Sequence, residues 1–382
     1  MSAPKLHVVT ADHVFDGSVM HEDAAIVIDG THIAQIVARS ELPHSIAVTD
    51  LPKGAWLAPG FVDLQVNGGG DVLFNDSPSA DTIRTIAAAH RQFGTTGFLP
   101  TLITDSPEKT ALAFAAVREA MQSDPAVLGL HLEGPFISRA KAGVHDRALI
   151  RQPSAPDLNI LTAPRSGALI VTLAPEEVPA GFIRAVAASG ARVCLGHSMA
   201  TYEQTRVALS EGLTGFTHLF NAMRPLASRE GGPIAAALET PACWYGLIVD
   251  GVHVAPAMLN LALRGLGNPM LVTDAMPPVG GKLESFMLYG EEISVSNGRC
   301  VRRDGTLAGA LLDMVGAVRN CVRLLGLPLQ EALRLGSANP ARLVRLKLGR
   351  LAPGYRADMI ALDPERIQVL STWVAGKEMQ TV

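Results

Sequence analysis

The 382-residue sequence predicts an α/β protein, with a (β/α)8 TIM-like barrel and a small β-sandwich domain that both chain ends build together. Both ends alternate apolar and polar residues, as half-buried strands do. Between them, short apolar runs alternate with helical segments, which is typical of βα units around a parallel sheet. The predicted boundaries are 1–57 and 349–382 for the two parts of the β-sandwich and 58–348 for the barrel.

The first part of the β-sandwich is predicted from two stretches. "LHVVTADHVFDG" has the composition of a strand, and "AAIVIDGTHIAQIVA" contains two alternating runs around Asp29-Gly30, a strong signal for a hairpin. The last thirty or so residues, from "GRLAPGYRADMIALD" onward, have the same character. Each end alone is too small to close a core, so we expect the two to form one domain.

The barrel is predicted from the regular alternation of the middle segment. Its helices include "SADTIRTIAAAHRQFG", in which Ser79 or Asp81 is the candidate N-cap. The predicted strands are "GFLPTL", "VLGLHLEG", "LIVTLAP", "ARVCLGHS", "GFTHLFNAM", "WYGLIVDG" and "PMLVTDA". A doubly wound sheet is the alternative fold for the same pattern.

Composition excludes some classes of protein. Hydrophobic residues make up 48% of the chain and charged residues 18%, which favours a large core over disorder. A net charge of −4 without a basic block disfavours nucleic-acid binding. The scattered cysteines, the missing secretory signal and the lack of a membrane-length apolar run predict a cytoplasmic protein without a membrane partner.

Polar side chains follow several of the predicted barrel strands. In a (β/α)8 barrel the carboxyl ends of the strands form one face, where the active site lies. One carboxylate and three histidines that converge there form a metal-binding set. The strand-end residues are Gln65, Asn67, Glu133, His197, His218, His253 and Asp274.

The order of the motifs PGF-x-D, HLEGP, GHS, THL-x-NAM, DG-x-H and TDA resembles the amidohydrolase superfamily. Within it, the sequence is similar to the deacetylases of N-acetylglucosamine 6-phosphate. The resemblance implies hydrolysis of the acetyl amide to glucosamine 6-phosphate and acetate, in amino-sugar catabolism or recycling. Two alternatives remain open: a deacetylase of N-acetylgalactosamine 6-phosphate, and a catalytically inactive regulator that binds amino sugars.

The resemblance also implies the metal content. Most amidohydrolases carry His-x-His after PGF-x-D, whereas this chain has Gln65 and Asn67 at those positions. Amides are poor zinc ligands, so we expect the second-metal site to be vacated and one divalent ion per subunit to be bound. Its predicted ligands are Glu133, His197 and His218. Zinc is the first expectation, and iron, cobalt or manganese could occupy the same ligand set.

The resemblance assigns roles to further residues. Asp274 is expected to take a proton from water and to protonate the leaving amine, although an aspartate there could also be a helix N-cap. His145 is expected to polarise the acetyl carbonyl. Arg229 and His253 are expected to bind the phosphate, and Arg229 can come from the neighbouring subunit, which implies a homodimer. The predicted substrate-binding residues are Val144, His145, Asn221, Ala222, Arg229, His253, Leu307, Ala308 and Gly309.

Overall fold

A computed structural model gives the structure of residues 6–43 and 47–379. The chain begins with an antiparallel meander of three strands, β1 (Leu6–Phe15), β2 (Met20–Asp29) and β3 (His32–Ala38). The short strands β4 (Val48–Asp50) and β5 (Trp56–Pro59) pair in parallel with β1. Asp29 pairs with His32, so the predicted hairpin at Asp29-Gly30 is confirmed.

Eight parallel strands follow, in the spatial order of the chain. Asp274 N donates to Gln65 O over 2.9 Å, and Asn67 N donates to Ala275 O over 3.0 Å. These bonds join the first barrel strand to the segment after the last one, so the sheet closes and the predicted (β/α)8 barrel is confirmed over the alternative of an open doubly wound sheet. The strands are β6 (Phe61–Val66), β9 (Thr95–Ile103), β10 (Gly129–Glu133), β11 (Ala168–Leu173), β12 (Arg192–Leu195), β13 (Leu213–Phe216), β14 (Trp244–Leu247) and β15 (Asn268–Leu271), and a small hairpin, β7 (Gly68–Gly69) and β8 (Val72–Leu73), follows β6.

Helices cover the outside of the barrel. In the first of them, Ser79 is the N-cap, because its side chain accepts a hydrogen bond from Thr82 N. Some of the shorter helices were not predicted, since segments such as "GPIAAALE" are almost wholly apolar and show no polar face. The helices are α1 (Ala80–Arg91), α2 (Pro107–Ser123), α3 (Ala155–Thr162), α4 (Phe182–Ala188), α5 (Tyr202–Ser210), α6 (Gly232–Glu239), α7 (Pro256–Leu263), α8 (Met314–Leu325), α9 (Leu329–Gly336) and α10 (Ala338–Leu343), with short 3-10 turns at Arg39–Glu41, Arg139–Lys141 and Pro175–Glu177.

An antiparallel sheet lies between the last barrel strand and α8, and the sequence did not predict it. It consists of β16 (Ser285–Leu288), β17 (Glu291–Ser296) and β18 (Arg299–Val301). Its inner residues form a small apolar cluster with Ile103, Met276 and Ala308, all near the carboxyl ends of the barrel strands. The inserted sheet therefore covers part of the face on which an active site is expected.

The chain ends with three strands that return to the first sheet, β19 (Met359–Asp363), β20 (Gln368–Val374) and β21 (Lys377–Met379). Strand β19 pairs with β5, with Ile360 opposite Ala58. The two chain ends thus share one eight-stranded sheet, and the prediction that they build one β domain is confirmed. Within the described ranges, no helix is long and apolar enough to cross a membrane.

Candidate active site

Four of the predicted polar residues lie at the carboxyl end of the barrel. Glu133 is the last residue of β10, and His197, His218 and Asp274 follow the ends of β12, β13 and β15. The backbone φ angles of these last three are +49°, +31° and +52°, in the left-handed region that residues other than glycine seldom adopt. Each such residue costs on the order of 1–3 kcal/mol, and strained residues of this kind concentrate at functional sites.

Glu133, His197 and His218 direct their side chains to one point. Glu133 Oε1 lies 2.9 Å from Nε2 of each histidine, and the two Nε2 atoms lie 3.1 Å apart. All three residues are buried. Burial raises the pKa of Glu133, but the combined effect of its neighbours His197 and His218 is larger and holds this pKa well below its usual range. Glu133 is therefore a carboxylate, and the three residues form a group that could hold a metal ion.

The tautomer of His197 supports this interpretation. Its Nδ1 lies 2.7 Å from the backbone carbonyl oxygen of Lys141. A carbonyl oxygen only accepts, so Nδ1 carries a proton, and a ring protonated only there directs the lone pair of Nε2 toward Glu133 and His218. A backbone carbonyl behind a histidine is a common way to orient a metal ligand. A ring held in this way is suited to bind a cation at the point where Glu133 and His218 also converge.

Gln65 and Asn67 connect this group to Asp274. Gln65 Nε2 donates to Glu133 Oε2 over 2.9 Å and to Asp274 Oδ1 over 3.2 Å. Asn67 Nδ2 donates to the same Asp274 oxygen over 2.6 Å. Within the described parts of the chain, Asp274 Oδ2 receives no hydrogen bond from a side chain. The two amides thus hold one oxygen of Asp274 and leave the other for a bound molecule.

Asp274 has the electrostatic environment of a group that transfers protons. Burial and the negative charge of Glu133 together raise the pKa of Asp274 to about 6, although His218 and the hydrogen bond from Asn67 oppose this rise. A carboxyl group whose pKa approaches neutrality can accept and return a proton at physiological pH. Perturbed carboxylates of this kind are typical of active sites.

A cavity of about 350 Å³ opens beside these residues. Glu133, His197, His218, Asp274 and Asn67 form its floor. Most of the predicted substrate-binding residues line the same cavity: Val144, His145, Asn221, Ala222, His253, Leu307 and Gly309. The imidazole of His253 is held at Nδ1 by Asp250 Oδ2, 2.6 Å away.

Three predicted residues do not line the cavity of this chain. Gln65 lies beneath its floor, where it contacts Glu133 and Asp274. Ala308 is fully buried between two residues that do line it. Arg229 is exposed, in the loop before α6. Arg229 is not among the residues that line the cavity.

The cavity also contains residues that sequence analysis did not find. Ile103 ends β9, Met276 follows the segment of Asp274, and Thr306 directly precedes Leu307. Ile103 could have been predicted from its position at a strand end, because the rule that selected Glu133 applies to every barrel strand. Met276 and Thr306 gave no comparable signal, since neither residue type indicates a site.

Comparison with known proteins agrees with this geometry. Residues 56–382 match the amidohydrolase family. An N-acetylgalactosamine-6-phosphate deacetylase of Shewanella sp. (strain ANA-3) is 41% identical over 84% of this chain and 82% of the relative. An N-acetylglucosamine-6-phosphate deacetylase of Haemophilus influenzae is 35% identical over 93% of this chain and 94% of the relative.

A solved structure resembles the whole fold. The N-acetylglucosamine-6-phosphate deacetylase of Pasteurella multocida superposes with a TM-score of 0.93 at 33% identity. The match covers 98% of this chain and 99% of the other. The similarity therefore includes the barrel, the inserted sheet and the sheet that both chain ends share.

Proposed function

This chain belongs to the amidohydrolase family, and we propose that it hydrolyses N-acetyl-D-glucosamine 6-phosphate to D-glucosamine 6-phosphate and acetate. The observation that carries the proposal is the group of Glu133, His197 and His218, beside Asp274, at the floor of one cavity. A metal-binding group next to a carboxylate of raised pKa suits the attack of water on an amide. The similarity to deacetylases over nearly the whole chain supports this substrate class.

The donor atoms fit a single divalent ion. One carboxylate oxygen and two imidazole nitrogens are the ligands of many catalytic zinc sites, with a further position open to water or substrate. Ligands about 2 Å from a tetrahedral ion lie roughly 3.3 Å apart, close to the separations of 2.9–3.1 Å in this group. A bound ion would lower the pKa of a water molecule and polarise the acetyl carbonyl. We propose zinc, with one ion per chain.

Asp274 is the proposed proton carrier. Its Oδ1 is held by Gln65 and Asn67, so Oδ2 is the atom that takes a proton from the attacking water. The same oxygen then gives that proton to the nitrogen of the sugar, which must leave as a neutral amine. The two amide donors keep the carboxylate in one orientation throughout.

His145 is the proposed partner of the acetyl carbonyl oxygen. Its ring lies next to that of His197, with 4.3 Å between the ring centroids, and its Nε2 lies 3.9 Å from Glu133 Oε1. An N–H group at this place would stabilise the negative charge that develops on the oxygen during attack.

The other end of the cavity is the proposed phosphate site. This end is lined by Asn221, the backbone of Ala222, and His253, which offer hydrogen-bond donors to a phosphate. The exposed position of Arg229 suits an arginine that completes the site of a second chain in a homodimer. Guanidinium groups bind phosphate well, because they are planar, remain charged and donate two parallel hydrogen bonds.

A second substrate has a specific observation in its favour. The relative with 41% identity is named for N-acetylgalactosamine 6-phosphate. The two sugars differ only in the configuration of C4. The proposed contacts to the amide and phosphate groups would therefore be available to both sugars. Activity on this sugar is therefore the alternative to test.

Acetate release from purified protein distinguishes the possibilities. The substrates are the two sugar phosphates, with unphosphorylated N-acetylglucosamine as a third. We expect the highest kcat/KM for N-acetylglucosamine 6-phosphate, loss of turnover after treatment with a chelator, and recovery with zinc. A higher kcat/KM for the galactose epimer would support the alternative. No acetate from either phosphate, in folded and metal-loaded protein, would refute the function.

A further inference from the structure

Thr104 is a buried residue directly after β9, and it contacts His145 twice. Its Oγ1 lies 2.7 Å from His145 Nδ1, and its backbone N–H donates to the same nitrogen over 3.3 Å. Thr104 is almost inaccessible to solvent and does not line the cavity. Its side chain therefore reaches the cavity through the imidazole of His145.

These contacts determine which tautomer His145 adopts. A backbone N–H can donate and cannot accept, so the nitrogen that it faces must carry the lone pair. His145 Nδ1 is thus unprotonated, and the hydroxyl of Thr104 also donates to it. The ring proton must then be on Nε2, which is the nitrogen on the side of Glu133. The ring presents a donor to the reaction centre.

Thr104 is itself held in place from two sides. Its carbonyl oxygen accepts a hydrogen bond from the hydroxyl of Tyr289, at the turn between β16 and β17 of the inserted sheet. On the other side, Gly134 follows the ligand Glu133 with a φ of +85°, and a Cβ atom there would lie 2.1 Å from Thr104 Oγ1. Only glycine leaves room for the hydroxyl at this position. Tyr289 and Gly134 therefore help to fix the position of the Thr104 hydroxyl.

We infer that Thr104 is a positioning residue, which fixes the Nε2–H tautomer of His145 so that this ring donates a hydrogen bond to the acetyl carbonyl oxygen during hydrolysis. The inference rests on the proposed function, because it gives His145 a role in that reaction. In the opposite tautomer, Nε2 would present a lone pair to an oxygen that gains negative charge, and the two would repel.

Substitution of Thr104 in the zinc-loaded enzyme tests the kinetic consequence. Thr104→Val removes the hydroxyl and keeps the shape of the side chain, whereas Thr104→Ser keeps the hydroxyl. Thr95→Val is a matched control at the other end of β9, because Thr95 is buried and its hydroxyl has no partner among the described residues. We expect Thr104→Val to lower kcat at least about 10-fold with little change in KM, since a single oxyanion donor contributes more than that. Thr104→Ser and Thr95→Val should remain within about 3-fold of wild type.

The tautomer can be measured without turnover. Imidazole ¹⁵N NMR distinguishes protonated from unprotonated ring nitrogens, and the signals of His145 are assigned by their loss in His145→Gln. We expect an unprotonated Nδ1 and a protonated Nε2 in the wild type. Thr104→Val loses the shorter contact of 2.7 Å and keeps only the backbone N–H at 3.3 Å, so we expect a larger share of the opposite tautomer in this variant.

Three results would overturn the inference. They are a protonated Nδ1 in the wild type, an unchanged tautomer in Thr104→Val, and a folded Thr104→Val enzyme with the kcat of Thr95→Val. Failure of the proposed function is a separate result, because the wild type would then release no acetate while the NMR measurement would still report the tautomer.

Discussion

Asn67 Nδ2 lies 2.6 Å from Asp274 Oδ1, so an uncharged amide is the direct neighbour of the proposed proton carrier. Gln65 Nε2 bridges the same oxygen and Glu133. Two buried carboxylates repel each other, and amide donors between them lower the free-energy cost of burying both. The amides therefore stabilise both carboxylates by hydrogen bonding without adding a charge.

We expect one tightly bound metal ion per chain from this arrangement. Gln65 and Asn67 use their N–H groups on carboxylates and are poor ligands for zinc, and the described residues contain one group of side chains that could hold an ion. Elemental analysis after removal of metal and reconstitution should give about one ion per chain at full activity. If turnover requires two ions per chain, the assignment of these amides is wrong.

Asp274→Asn tests the proton carrier. The substitution keeps the shape of the side chain and removes its basicity, while Glu133, His197 and His218 are unchanged. Metal content and KM should stay close to those of the wild type, and kcat should fall by about 10²–10⁴-fold, the usual contribution of general acid–base catalysis. Steady-state kinetics on metal-analysed protein provides the measurement. A kcat near that of the wild type would mean that another group carries the proton.

Gly309 tests the link between the segment that lines the cavity and Asp274. A Cβ atom at Gly309 would lie 2.8 Å from the carbonyl oxygen of Asp274, and the φ angle there is +56°. Gly305 in the same segment also has a positive φ, +85°, but a Cβ atom there would meet nothing within 4 Å. Gly305→Ala should therefore cost only about 1 kcal/mol of stability, from the backbone conformation.

Gly309→Ala should cost more stability and should also displace Asp274. A displacement of the order of 1 Å near reacting groups can reduce turnover by about 100-fold, so we expect kcat to fall at least about 10-fold below that of Gly305→Ala. Thermal unfolding and steady-state kinetics on both variants provide the measurement. Equal kcat values in the two folded variants would show that the contact with Asp274 has no effect on catalysis.

The barrel and most of its polar strand ends could be predicted because they follow local rules. A buried parallel strand is a short apolar run, and the residue that follows it faces the active site, so Glu133, His197, His218 and Asp274 could be located from the sequence. The hairpin at Asp29-Gly30 could also be predicted, because its signal lies in a few adjacent residues.

The inserted sheet and Thr104 could not be predicted in the same way. Strands β16–β18 are short and lie between the last barrel strand and α8, where a regular βα pattern predicts only a loop. The role of Thr104 depends on the fold, because its partner His145 is 41 residues away in the sequence. A threonine at a strand end has no signal of its own, and only the direction of its N–H indicates what it does.

An unphosphorylated sugar tests recognition of the phosphate and the role of Arg229. Each hydrogen bond to a charged group is worth roughly 1.5–3 kcal/mol, so N-acetylglucosamine without phosphate should have a much lower kcat/KM. If the phosphate also aligns the amide with the catalytic groups, kcat should fall as well. Arg229→Ala should remove most of the difference between the two sugars. A folded Arg229→Ala enzyme that retains the full preference for the phosphate would exclude Arg229 from phosphate recognition.

A mixture of two impaired variants tests whether Arg229 acts across subunits. In a heterodimer of Asp274→Asn and Arg229→Ala chains, a shared site would combine the intact Asp274 of one chain with the intact Arg229 of the other, and the second site would carry both substitutions. Activity after mixing should then exceed the sum of the separate variants and approach half of the wild-type value per heterodimer. Mixed chains that form heterodimers without recovery would place Arg229 in the site of its own chain or away from the substrate. Heterodimers are verified with two different affinity tags, and a mixture of Asp274→Asn with itself under the other tag controls for the exchange procedure.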